Sequence, residues 1–166
     1  MVYGDIEYFG EATGPECDAS EFSVERLMID NIVDNRAVFR RVIWEERGGY
    51  DTEMPDRLGY EDWDLWLQAA KRGWQFVRIP EVMLDYRVRS DSMVRMCRIP
   101  TNHRRLVGYL AMKHRDFYAA HLPEIPAMAR RTVHLEGTLD KMKASKFWRA
   151  RDVYVRLRRL VDRSWS

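Results

Sequence analysis

The residues best placed to do chemistry are the acids of the run Glu61-Asp62-Trp63-Asp64. They open a segment, Tyr60 to Arg72, in which Trp63, Trp66, Leu67 and Ala70 fall at i, i+3, i+4 and i+7, the spacing of one apolar helix face. Three acids therefore occupy the first turn of a helix, where unpaired backbone N–H groups hold a carboxylate ionised and in a fixed direction. A carboxylate so held suits a general base, which needs a defined position and a free lone pair. The same acids also complement the helix dipole without any further role, and the run by itself leaves both readings open. The four histidines, His103, His114, His121 and His134, all fall in the C-terminal part. His114 and His121 share a face, but no acid or cysteine completes a metal set, so they read as ordinary surface residues. Cys17 and Cys97 have neither metal nor redox spacing and read as two free thiols in a reducing cytoplasm, a single disulfide being the lesser alternative.

Several elements must position the acidic helix. Met1 to Phe9 has the β-propensity of a strand, closed by Gly10, and its apolar opening suggests a piece of a longer domain. Gly10 to Glu21 is a polar loop carrying Gly14-Pro15. Ser23 caps a short helix running to Asn31. Ala37-Val38-Phe39 is a short apolar run, and Arg40 to Arg47 is a helix stopped by Gly48-Gly49. Asp51 to Gly59 reads as a loop, with Pro55 excluding regular structure. Lys71, Arg72 and Gly73 end the acidic helix. Two short strands, Gln75 to Ile79 and Val82 to Val88, are separated by Pro80-Glu81. From Thr101 the pattern is helical in about three pieces, 101–121, 125–144 and 146–163.

Four runs occur in order: Asn31-Ile-Val-Asp-Asn-Arg-Ala-Val-Phe-Arg-Arg41, Arg47-Gly-Gly-Tyr-Asp51, Leu58-Gly-Tyr-Glu-Asp-Trp-Asp-Leu-Trp-Leu67 and Asp85-Tyr-Arg-Val-Arg-Ser-Asp-Ser-Met93. Together they resemble the second half of family 2 glycosyltransferases of the GT-A type. In that family a Phe-Arg-Arg helix precedes Gly-Gly-Tyr/Phe-Asp, a Glu-Asp-Trp-Asp helix and a Tyr-Arg-x-His-x-x-Ser strand. The likeness spans about residues 1 to 95. It implies an α/β (α+β) fragment, the C-terminal part of a GT-A fold over 1–97, followed by a mostly helical basic tail over 98–166.

The implied reaction is inverting transfer of a sugar, as by a hexosyltransferase, from a nucleotide-sugar to an acceptor hydroxyl on a carbohydrate or a lipid-linked acceptor. Asp62 would be the catalytic base, with Glu61, Asn35 and Trp63 positioning the acceptor. Trp63 and Trp66 are core residues first and sugar platforms second, and Trp44 fits either role. Asp64 would cap or brace the helix. The donor-binding strand and the Asp-x-Asp motif that holds a divalent metal (Mn or Mg) precede the matched region in the family. These residues alone are therefore expected to bind neither metal nor donor and to be inactive, and no metal ligand is assigned; Asp5, Glu7 and Asp18 do not replace that motif. The family's strand histidine is replaced by Arg89, which with Arg87 would face the diphosphate, since guanidinium binds phosphate oxygens bidentately. A solvated strand face is the alternative for both. A non-catalytic interaction or scaffold module derived from the same fold is the second reading of the chain.

Of the 166 residues, 46% are hydrophobic and 33% charged, the balance of a globular protein with a core. No run reaches the roughly 20 apolar residues of a membrane span, and no secretory signal is expected at the N-terminus. The net charge of +2 conceals a division: 12 Lys and Arg against 20 Asp and Glu up to Cys97, then 16 against 6 from Arg98 onward. The last helix is amphipathic. Arg149, Arg151, Arg156, Arg158, Arg159 and Arg163 lie opposite Phe147, Val153, Val155, Leu157, Leu160 and Val161. Such a helix suits an anionic membrane surface, which would make the protein cytoplasmic and peripheral at the inner face of the membrane. A solvated basic face on a packed helix and a homodimer are the alternatives. Nucleic acid is not expected, since no binding motif accompanies the charge.

Overall fold

The computed structural model describes residues 1–15, 21–33, 35–148, 150, 151, 154 and 155. It is a mixed α and β structure with a small three-stranded sheet. The chain divides into two compact units, Met1–His121 and Leu122–Ser166. The first unit thus runs past the Cys97 boundary suggested by the charge division. Leu106, Leu110 and Phe117 are buried in it.

In the first unit the sheet order is β2-β1-β3, with β1 (Val2–Gly10) at the centre. The two-residue β2 (Gly14–Pro15) pairs antiparallel and β3 (Val77–Val88) parallel. The two strands expected around Pro80-Glu81 are one continuous strand. Tyr3 pairs with Arg78 and Asp5 with Val82, so Gly4 alone faces Ile79, Pro80 and Glu81 in a bulge. A bulge accommodates a proline that has no N–H to give the ladder. Gly4 is required there, because a Cβ would lie 2.5 Å from Met83 Cγ and 2.7 Å from the Glu81 carbonyl. The Gly4 carbonyl is taken by the Arg36 guanidinium at 2.8 and 3.0 Å.

The connection from β1 to β3 carries the helices that form the core. Helix α1 (Val24–Ile29) starts where Ser23 Oγ accepts from the Arg26 N–H at 3.2 Å, and it buries Leu27 and Met28. Val38 bridges to Val2. Helix α2 (Arg41–Arg47) stops at Gly48, whose φ of 79° is the left-handed conformation that glycine adopts freely. A single 3-10 turn, Pro55–Arg57, interrupts the expected loop. Helix α3 (Glu61–Lys71) buries Trp63, Leu65, Trp66, Leu67 and Ala69, and Phe39 meets Trp66 edge-on at 5.3 Å.

Beyond β3 a short helix, α4 (Met93–Cys97), was not anticipated and buries the free thiol of Cys97; Cys17 and Asp18 lie outside the described residues. The expected helix 101–121 is two, α5 (Pro100–Lys113) and α6 (Arg115–Ala120), broken at His114. The second unit holds α7 (Glu124–Ala144), none of whose side chains is buried, followed by helical backbone at 146–148, 150, 151, 154 and 155. Arg149, Val153, Arg156, Leu157, Arg158, Arg159, Leu160, Val161 and Arg163 of the expected last helix lie outside the described residues. No helix among the described residues is long and apolar enough to cross a membrane.

Candidate functional site

The first turn of α3 is where the chemistry-bearing residues meet. Trp63 fixes it in place. Its ring is fully buried, and its indole Nε1 donates to the Leu27 carbonyl at 2.6 Å, tying α3 to α1. That tie brings the second residue after α1, Asn31, beside the helix start. Asn31 Nδ2 donates to Asp62 Oδ2 at 3.1 Å, and the Trp63 backbone N–H donates to Asp62 Oδ1 at 2.8 Å. Asp62 is half-buried, as is Glu61. The expected acceptor-positioning residue Asn35 lies exposed in a turn, while Asn31 holds the carboxylate. Trp63 offers an acceptor no accessible face, so its contribution is to placement and not to contact.

Tyr60 precedes the acids with φ 84° and ψ 10°, a left-handed conformation that a bulky residue adopts only when its surroundings compel it. The compulsion is visible in its packing. The ring meets Trp63 edge-on at 5.2 Å, and its hydroxyl lies 3.0 Å from His103 Nδ1. Burial, with the nearby acidic groups, pushes the Tyr60 phenol up to about 12, so it remains a neutral hydroxyl. Tyr60 and His103 line a cleft of about 320 Å³ with Ile29, Asp30 and the exposed cation Arg98. Exposed Tyr50 is raised in pKa by partial burial and then by the charges of Asp62 and Glu61, which places its phenol within their field.

Two residues on, Asp64 meets a different fate. Its carboxylate is fully buried and accepts from Arg47 Nη2 at 2.7 Å and Nε at 3.2 Å, Lys113 Nζ at 3.1 Å and His114 Nε2 at 2.8 Å. Burial alone would raise its pKa, but these partners bring it down to about 2. Asp51 joins the cluster by accepting from the Tyr109 hydroxyl at 2.9 Å and by pairing with Lys113. His114 is therefore a buried member of an ionic cluster and not a surface residue, and His103 faces Tyr60. The motif residues Arg47, Asp51 and Asp64 gave a partial signal for this cluster; Lys113 and His114 gave none.

The arginines expected at a diphosphate are placed otherwise. Arg89 lies beyond the end of β3, and its guanidinium grips Asp91 bidentately at 2.6 and 2.8 Å with both side chains exposed. Its partner in this structure is thus a surface acid. Arg87 is an exposed residue of β3, opposite Phe9 in the register. Among the described residues no group of three or more His, Cys, Asp or Glu side chains is arranged to hold a metal ion. Asp5, of the Asp5-x-Glu7 pattern, is held bidentately by Arg78 at 2.6 and 2.8 Å, and Asp64 is enclosed by cations.

In comparisons with family models, curated proteins and solved structures, none matches this chain.

Proposed function

We propose that Met1–His121 is the acceptor side of a GT-A-type inverting sugar transferase, with Asp62 as the general base. The observation that supports this reading most directly is the contrast within one helix turn. Asp64 is enclosed by Arg47, Lys113 and His114, whereas Asp62 is half-buried and directed by an amide donor and a backbone N–H, two residues along the helix from Tyr60. A carboxylate so directed can take the proton of an acceptor hydroxyl as that oxygen attacks the anomeric carbon, and the nucleoside diphosphate leaves from the opposite face. Tyr50, exposed within the field of both acids, is the aromatic surface on which a sugar ring would rest. The donor-binding elements are not among these residues, so a donor-binding half, joined to this chain or separate, completes the reaction.

The test has two arms. Titration of these residues alone with UDP-, GDP- and dTDP-sugars and manganese gives no binding tighter than about millimolar, a free energy near 4 kcal/mol. With the donor-binding half present, transfer occurs and Asp62→Asn abolishes most of it. Transfer undiminished by Asp62→Asn would sink the assignment, and micromolar donor binding by these residues alone would show that the donor site is here.

A further inference from the structure

Among the described residues, helix α7 carries a stripe of mostly apolar side chains that is half-buried at Ile125 and Met128 and exposed at Thr132, Leu135, Leu139 and Met142. Ile125, Met128, Thr132, Leu135, Leu139 and Met142 recur at intervals of 3, 4, 3, 4 and 3 residues, which are the a and d positions of three heptads. Leu135, Leu139 and Met142 are each about half exposed, at 51, 47 and 48%. The helix is 21 residues long, about 30 Å at 1.5 Å per residue. A helix of this length gains most of its stability from packing its apolar face.

The charges flanking the stripe select its occupant. Arg131 stands at a g position and Glu136 at the following e position. In a parallel, in-register pair of α7 helices, g of one chain faces the next e of the other, so Arg131 meets Glu136 of the second copy twice, once on each side. An antiparallel pair with the same core layers sets Arg131 opposite Thr138 and Glu136 opposite Ala129, and both complementary pairs are lost. Core residue types agree at two of the three a positions: Ile125 and Thr132 are β-branched while Leu139 is not, and with unbranched-Cβ Met128, Leu135 and Met142 at d the pattern leans toward two strands. Gly137 falls at f, away from the seam. A membrane surface would instead call for a broad apolar face, and here the two-position seam is bordered by Arg131, Glu136 and Lys143.

We propose that α7 is a parallel homodimerisation helix, pairing with α7 of a second copy of this chain through this seam. Sedimentation equilibrium on the full chain reads the result directly. Dimer is expected to predominate by about 100 μM. The double variant Leu135→Glu/Leu139→Glu is expected to be monomeric with unchanged tryptophan fluorescence, which reports that the core around Trp63 and Trp66 is still folded. Arg131→Glu weakens the dimer about tenfold, and Arg131→Glu/Glu136→Arg restores it. A wild-type chain still monomeric at that concentration overturns the proposal. So does a dimer indifferent to the seam variants, a charge exchange that fails to restore it, or a monomer that floats with anionic vesicles through the same leucines.

Discussion

Asp62 and Asp64 share a residue type, a helix and a single turn, yet the molecule uses them in opposite ways. Asp64 points inward, where three cationic or N–H-bearing side chains from two other segments surround it. Asp62 points toward the end of α1, accepts from one side-chain amide and one backbone N–H, and keeps part of its surface in water. The difference teaches that an acidic motif is two motifs when its members are two residues apart on a helix. A rotation of about 200° sends them to opposite faces. One face is closed by the core, the other is half-exposed beside the end of α1.

The largest effect that separates the two faces lies in catalysis. Under the proposed sugar transfer, Asp62→Asn is expected to lower turnover by about two to four orders of magnitude, the usual loss of a general base, while the urea midpoint stays near wild type. Asp64→Asn should reverse the pattern. It leaves Arg47 and Lys113 with Asp51 as the remaining one of their two shared carboxylates and lowers the unfolding free energy by about 3 kcal/mol in a denaturant titration. That figure is the low end for a broken buried pair, because Arg47 and Lys113 retain some contact with water. If both variants lose stability equally, the distinction between the faces fails.

Acid unfolding sharpens the same contrast. The Asp64 carboxyl titrates at about 2 when folded, against 3.8 ordinarily. A depressed folded pKa contributes stability that is fully present above the unfolded value and is lost as protons bind on the way down. The protein should therefore lose about 2 kcal/mol between roughly pH 4 and pH 2 through this one group. Asp51, also lowered by Lys113 and Tyr109 against the opposing effect of burial, adds to the loss in the same direction. Asp64→Asn should flatten this part of the stability curve, and an unchanged slope in the variant would relocate the acid-sensitive group.

Smaller effects belong to the cleft. Tyr60→Phe removes one part-buried hydrogen bond to His103 and is expected to reduce stability by about 1 kcal/mol, read from the thermal midpoint. Smallest of all is Arg89→Ala. With its guanidinium engaged by Asp91 at the surface, it should alter neither the melting temperature nor transfer. A loss of nucleotide affinity in that variant would return Arg89 to the donor side.

Much of this architecture was legible in local pattern. The periodicity of Trp63, Trp66 and Leu67 located α3, Gly48 marked the end of α2, and Ser23 marked the start of α1. Each is a decision made within one or two turns of chain. Failures came where a distant partner had the deciding role. The bulge at Pro80 depends on how β1 runs beside it, and the break between α5 and α6 falls at His114, which bonds to Asp64 fifty residues away. Asn31 and Asn35 are both asparagines near the same motif, and it is Asn31, beside the Trp63–Leu27 hydrogen bond that ties α3 to α1, that meets Asp62.

By itself, then, the sequence determined the helices that periodicity and caps define, the acidic start of α3 and the absence of a long apolar span. Those properties follow from backbone geometry and side-chain polarity over short stretches. The tertiary structure alone decided which acid is enclosed and which is presented, that His114 is interior, and that Arg89 is spent on Asp91. A carboxylate's role depends on the charges and donors within a few ångströms of it. Around Asp64, those groups come from residues 47, 113 and 114, and only folding brings them together.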